Sequence, residues 1–136
     1  MKIDAKNEHV FLLGMSGIGM QALAIIAQQS GYHVSGFDDS LPIEALQKQG
    51  IAYLSQIPDD VKLVVYSSAI KETHPLMVAA RMRNILCVNR TDFLIEYIKF
   101  NENIILIAGA HGKTTTTSMA SYVLGMKSFA IGGIVN

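Results

Sequence analysis

The chain has 136 residues with 11 basic and 11 acidic side chains, so it carries no net charge and lacks the basic field that nucleic acid or an anionic membrane surface requires. A chain of this length can bury roughly two-thirds of its unfolded surface, and its single cysteine, Cys87 in the apolar run Ile85-Leu86-Cys87-Val88, cannot form an internal disulfide. No apolar stretch approaches the roughly 18 residues of a membrane helix, and Met1 to His9 has no signal-peptide core, which predicts a cytoplasmic protein with no membrane partner.

Val10 to Leu13 reads as a short apolar strand running into Gly14-Met15-Ser16-Gly17-Ile18-Gly19-Met20. Ala22 to Gln29 then has helical character and stops at Gly31. Tyr32 to Phe37 is the next strand. It ends at Asp38 and Asp39, about 20 residues past the glycine turn, where a Rossmann-type fold sets a carboxylate on a ribose hydroxyl. Gly17-Ile18-Gly19-Met20-Gln21-Ala22 satisfies G-x-G-x-x-A, a weak pattern alone that gains from the order strand, glycine turn, helix, strand, acid. The order predicts a nucleotide or nucleotide-sugar site at Gly14, Ser16, Gly17, Ile18, Gly19, Met20 and Asp38. Three alternatives stay open: a glycine turn that only lets helix and strand pack closely, a non-catalytic Rossmann-like module that binds a nucleotide or dinucleotide, and an NAD-linked oxidoreductase.

Ser40 is placed to cap a helix that carries Pro42 in its first turn and stops at Gly50, with Ile43 and Leu46 inward. Ile51 to Leu54 is extended, Pro58-Asp59-Asp60 turns, and the unbroken apolar Leu63 to Tyr66 suits a strand buried on both faces. Ser67 and Ser68 follow it directly, at the carboxyl end where ligands of open α/β sheets lie, although simple turn chemistry would also use them. Thr73 and Pro75 open a helix through Met77, Val78, Ala80 and Met82, with the methionines expected in the core. Ile85 to Val88 is a strand. Thr91 then caps a helix from Asp92 to Lys99, whose Phe93, Leu94, Ile95, Tyr97 and Ile98 predict deep burial. The four histidines, His9, His33, His74 and His111, never fall at metal-ligand spacing along the chain, and no carboxylates cluster with them, so no structural zinc site is expected.

Polar Phe100-Asn101-Glu102-Asn103 marks a boundary between residues 1–100 and residues 101–136. Beyond it Ile104, Ile105, Leu106 and Ile107 form a β-branched run into Gly109-Ala110-His111-Gly112-Lys113-Thr114, and Thr115, Thr116 and Thr117 continue a predicted helix. This is a phosphate-binding layout, because backbone N–H groups at a helix N-terminus have no intrahelical partner and sit at the positive end of the macrodipole. Lys113 would reach the β- and γ-phosphates of ATP, and Thr114 would offer a hydroxyl to Mg²⁺. The full P-loop pattern wants glycine at position 107, where Ile107 stands; Gly109 takes the first glycine's place. A strand-to-helix turn with a solvated lysine is the plain alternative. Thr114 to Leu124 allows about three turns before Gly125-Met126-Lys127 leads at once into Ser128-Phe129-Ala130-Ile131-Gly132-Gly133, a crossover so compact that a few residues are expected to be missing between Leu124 and Met126.

With both glycine loops in view the chain resembles the Mur ligase family over nearly its whole length. The resemblance rests on FLLGMSGIGM, VSGFD, VVYSSAI, CVNRTDFL, AGAHGKTTTT and FAIGG. The histidine before Gly112-Lys113 and the four threonines are its most specific features, and they favour the alanine-adding branch. Ser16, Ile18 and Ala110 depart from the usual residues there. The resemblance implies an α/β architecture: a Rossmann-like parallel-sheet domain to about residue 100, followed by the start of a P-loop ATP-binding α/β domain. It also implies ATP and Mg²⁺ as cofactors and UDP-N-acetylmuramate and L-alanine as small-molecule substrates. Gly109, Ala110, His111, Gly112, Lys113, Thr114 and Thr115 would then hold ATP phosphates, with Lys113 and Thr114 catalytic. Gly14, Ser16, Gly17, Ile18, Gly19, Met20, Asp38, Ser67 and Ser68 would hold the UDP substrate. Family members continue far beyond Asn136, so the chain alone is expected to bind without turnover; its oligomeric state is not fixed by these residues.

Overall fold

The computed structural model describes residues 7–40, 44–98, 105 and 107–123. Five strands form one wholly parallel sheet: β1 (His9–Leu13), β2 (His33–Phe37), β3 (Ala52–Tyr53), β4 (Val61–Tyr66) and β5 (Leu86–Asn89), in the order β3-β2-β1-β4-β5. Helices α1 (Ile18–Gln29), α2 (Glu44–Lys48), α3 (Pro75–Met82) and α4 (Arg90–Glu96) connect or follow the strands, and α5 (Lys113–Val123) lies in the second glycine-loop segment.

Alternation along β1 explains why no residue of it is polar after His9. Val10 and Leu12 point to one face, where they pack with Met20, Leu23 and Ala27 of α1, Leu46 of α2 and Phe93 of α4. Phe11 and Leu13 point to the other, against Met77 and Ala80 of α3. With both faces covered, a continuous apolar run is the stable sequence for a central parallel strand. Gly36 belongs to the same close packing: a Cβ there would come within 2.3 Å of the Leu12 carbonyl oxygen and 2.8 Å of Met15 Sδ.

The chain runs outward from β1 to β2 and β3, then returns to place β4 on the other side of β1. The direction of winding thus reverses between β1 and β4, and in open α/β sheets the ligand crevice lies outside the carboxyl ends of the strands at that reversal.

Several local expectations are corrected. Helix α1 begins at Ile18, inside the glycine pattern rather than at Ala22. Asn89, not Thr91, caps α4, its Oδ1 accepting from Thr91 N at 2.9 Å and Asp92 N at 3.0 Å. His74, not Thr73, caps α3, its Nδ1 accepting from Leu76 N at 3.2 Å. Met77 is core, but Met82 is 80% exposed, five positions further round the same helix. Ile95 of α4 is likewise 72% exposed, while Phe93 and Ile98 are buried. Ile105 and Ile107 are not in strand, and no described strand is there to pair with them. Residues 41–43 of the helix start expected after Ser40, the residues Ile104 and Leu106, and the connection from Leu124 to Met126 lie outside the described residues.

The expected absence of a histidine–carboxylate cluster is also corrected. Parallel pairing sets His9 beside His33 and beside Val61, so Asp60 arrives at the same end of the sheet. One ligand atom from each of His9, His33 and Asp60 lies within 4.8 Å of the others.

Candidate functional site

The crevice at the reversal is built first from backbone. Gly14 follows β1 with φ +87°, a left-handed conformation, and a Cβ there would meet Ser67 Oγ at 2.7 Å. Glycine is required on both counts. Its N–H donates to Phe37 O at 2.9 Å, and Ser67 N–H donates to Leu13 O at 3.1 Å, so the ends of β2, β1 and β4 are tied together. Ser67 is buried at this junction and Ser68 is exposed beside it.

From this junction the chain turns into α1 at Gly17. The caps of α3 and α4 are side chains, whereas Gly17 offers none, and the first turn of α1 carries no acidic residue. The N–H groups of Met20 and Gln21 donate to Gly17 O, both at 2.9 Å, while those of Ile18 and Gly19 have no partner among the described residues. Two open donors at the positive end of a twelve-residue helix suit an anion such as a diphosphate. Ile18 exposes its side chain to solvent, but Met20 is wholly buried in the core.

Asp38 fixes the loop from the end of β2. Its Oδ2 accepts from Ser16 N at 2.9 Å and Ser16 Oγ at 2.6 Å, and its Oδ1 accepts from Ser40 N at 2.9 Å. Partial burial disfavours the charge, but the Ser16 hydroxyl and the Ser40 and Ser16 N–H groups outweigh it and hold the carboxyl below its ordinary value. A carboxylate has about four lone-pair positions, so three bonds leave room for one more donor. Two supports lacked any signal in the sequence. Gln21 Nε2 donates to Ser16 O at 2.7 Å, and the Tyr53 hydroxyl accepts from Asp38 N at 3.0 Å while lying against the carbonyls of Asp38 and Ser40. Burial pushes the Tyr53 phenol up, so it remains a donor. Asp39 faces His74 Nε2 at 3.4 Å, joining the β2 end to the start of α3.

In the second glycine loop Gly112 has φ +79°, and Lys113 opens α5 as expected, with Thr116 N donating to Gly112 O at 2.9 Å. The Lys113 ammonium folds back onto the loop, donating to Gly109 O and, at 3.4 Å, to Ala110 O. His111, Thr114 and Thr115 are exposed. Thr117 turns its hydroxyl to Lys113 O at 2.7 Å, which spends that side chain within the helix.

The profile described as "Mur ligase family, catalytic domain" matches residues 9–101, more than half of the chain and all of the sheet. The chain belongs to the Mur ligase family. This Mur ligase chain is 40% identical over 95% of its length to a UDP-N-acetylmuramate–L-alanine ligase of Francisella tularensis, covering 31% of that protein. It is 37% identical over 89% of its length to the corresponding ligase of Clostridium beijerinckii, covering 28% of it. Among solved structures, a UDP-N-acetylmuramate–alanine ligase from Thermotoga maritima superposes with a TM-score of 0.77 at 30% identity, over 86% of this chain and 29% of that one. A murein peptide ligase from Psychrobacter arcticus gives 0.77 at 28% identity, over 88% and 26%. The Mur ligase chain thus spans less than a third of the length of the curated relatives it matches. Among the described residues no helix is long and apolar enough to cross a membrane.

Proposed function

We propose that this chain is the opening part of an ATP-dependent ligase that joins L-alanine to UDP-N-acetylmuramate in peptidoglycan precursor synthesis. The observation that carries this reading is the 40% identity to the Francisella alanine ligase over 95% of the chain, a stretch long enough to include both glycine loops. Residues 1–100 would form the UDP-substrate domain. Gly14, Gly17 and Gly19 let backbone approach the diphosphate, the open N–H groups of Ile18 and Gly19 face it, and Asp38, Ser67 and Ser68 orient the uridine end. Residues 101–136 would begin the ATP-binding domain. A nucleotide-linked substrate and ATP make the cytoplasm the expected compartment.

In the reaction the γ-phosphoryl group passes to the sugar carboxylate and ADP leaves. The amine of L-alanine then attacks the acyl carbon, and the tetrahedral intermediate expels inorganic phosphate to leave an amide. The protein's part is positioning and charge compensation. Lys113 would exchange its contacts with the Gly109 and Ala110 carbonyls for charge-assisted bonds to phosphate oxygens. The exposed Thr114 hydroxyl, in the first turn of α5, fits a role as one ligand of Mg²⁺, which supplies further charge compensation when bound. Gly109, Ala110, His111, Gly112 and Thr115 would complete the phosphate loop.

Thermal shift of the purified chain with UDP-N-acetylmuramate, UDP, ATP·Mg²⁺ and NAD in parallel tests this, since a ligand of the folded state raises stability by RT ln(1 + [L]/Kd). The UDP compounds should raise the midpoint and NAD should not. A rise with NAD alone would favour a dinucleotide enzyme instead. Because the chain spans 31% of that relative, it should form no amide product by itself.

A further inference from the structure

The end of the sheet opposite the glycine loop carries a constellation that nucleotide binding does not use. His9 opens β1, His33 opens β2, and Asp60 immediately precedes β4. His9 is 4% exposed, its Nδ1 2.9 Å from Asp60 Oδ2 and its Nε2 2.7 Å from the buried Ser35 Oγ. The His33 ring lies over it, with centroids 4.0 Å apart. His33 and Asp60 are both exposed, so the cluster opens to solvent.

We infer that His9, His33 and Asp60 bind a divalent transition-metal ion of the zinc type. Two imidazoles and one carboxylate are a borderline-soft donor set suited to such an ion, with water in the fourth position. Ser35 supplies the outer contact that ligating histidines ordinarily have on their second nitrogen. In the tautomer in which Nε2–H donates to Ser35 Oγ, the Nδ1 lone pair and an Asp60 carboxylate oxygen face one another 2.9 Å apart and are both open to a cation. Tetrahedral bonds of about 2.0–2.1 Å set ligand atoms about 3.3 Å apart. The His9–Asp60 pair at 2.9 Å must open slightly and any separation nearer 4.8 Å must close up, and the exposed side chains of His33 and Asp60 can move to do so. Binding would tie the starts of β1, β2 and β4 together.

Titration of the metal-free, untagged chain with Co²⁺ and Zn²⁺ tests the inference. Expected are one-to-one binding by calorimetry, visible Co²⁺ absorption of a four-coordinate ion, and a rise in the thermal midpoint with Zn²⁺. His33→Ala and Asp60→Asn, both at exposed positions, should each weaken Zn²⁺ binding by at least about tenfold, the scale on which even an outer partner of a ligand acts. His111→Ala should leave it unchanged. Absence of one-to-one binding, or binding undiminished in His33→Ala and Asp60→Asn, would overturn the site, as would an equal loss in His111→Ala. The UDP-ligand thermal shifts are read at the other end of the sheet and do not depend on this outcome.

Discussion

Asp38 grips Ser16 twice, through its backbone N–H at 2.9 Å and its hydroxyl at 2.6 Å. The carboxylate at the end of β2 therefore sets the shape of the loop that leads into α1, and it retains capacity for one further donor from a ligand. Asp38→Ala should weaken UDP-N-acetylmuramate binding by about 1.5–3 kcal/mol, the scale for losing a hydrogen bond to a charged group. Ser16→Ala keeps the N–H contact and should cost about 1 kcal/mol. Calorimetry on both variants checks this; unchanged dissociation constants would confine the pair to loop structure.

The same contacts give stability a definite pH dependence. Folding holds the Asp38 carboxyl below its ordinary 3.8, so the folded chain gives up this proton more readily than the unfolded chain. The contribution is therefore complete above about pH 4 and drains away as pH falls through the lower folded value. Urea midpoints measured from pH 6 down to pH 2.5 should drop less steeply for Asp38→Asn than for the parent chain. Parallel curves would show that other carboxylates carry the acid limb.

What the sequence made legible is what local pattern controls. The unbroken apolar run Leu63 to Tyr66 announced a strand covered on both faces, with Leu63 and Val65 on one side and Val64 on the other, and the glycine turn after Val10 to Leu13 followed by Asp38 announced a loop at the carboxyl end of the sheet. Burial on a helix was harder to read. Met77 and Met82 share one side-chain chemistry yet are 1% and 80% exposed, because only the tertiary partner decides which face is covered. Caps moved by one or two residues because Asn89 and His74 compete with the neighbouring threonines for the same N–H groups. The His9–His33–Asp60 cluster was invisible, since parallel register joins residues that spacing along the chain keeps apart.

Three glycines should respond differently to alanine. Gly36→Ala drives a Cβ to 2.3 Å from a backbone oxygen of the neighbouring central strand, which cannot yield without opening the sheet. A loss of about 1–3 kcal/mol or more is expected. Gly14→Ala combines the left-handed φ with Ser67 Oγ at 2.7 Å and should also destabilise. Gly17→Ala meets nothing closer than 3.9 Å and should stay within about 1 kcal/mol of the parent while weakening UDP-ligand affinity by crowding the diphosphate. Urea denaturation with calorimetry separates the three; a Gly17→Ala variant with full affinity would remove that glycine from the binding site.

The two glycine loops also predict a separation of functions. Lys113 makes its described bonds to carbonyls of its own loop, at Gly109 and Ala110, whereas the UDP-site residues draw theirs from the ends of β1, β2 and β4. In a complete ligase carrying this sequence, Lys113→Ala should abolish turnover, because nothing else in the loop supplies a full positive charge to the transferring phosphoryl group. UDP-N-acetylmuramate affinity should change by less than about 0.5 kcal/mol, as expected for a substitution away from the site. Steady-state kinetics and calorimetry on the same preparation decide it. A comparable loss of UDP-substrate affinity would mean that the loops act as one site, and the division near residue 100 would have to be abandoned.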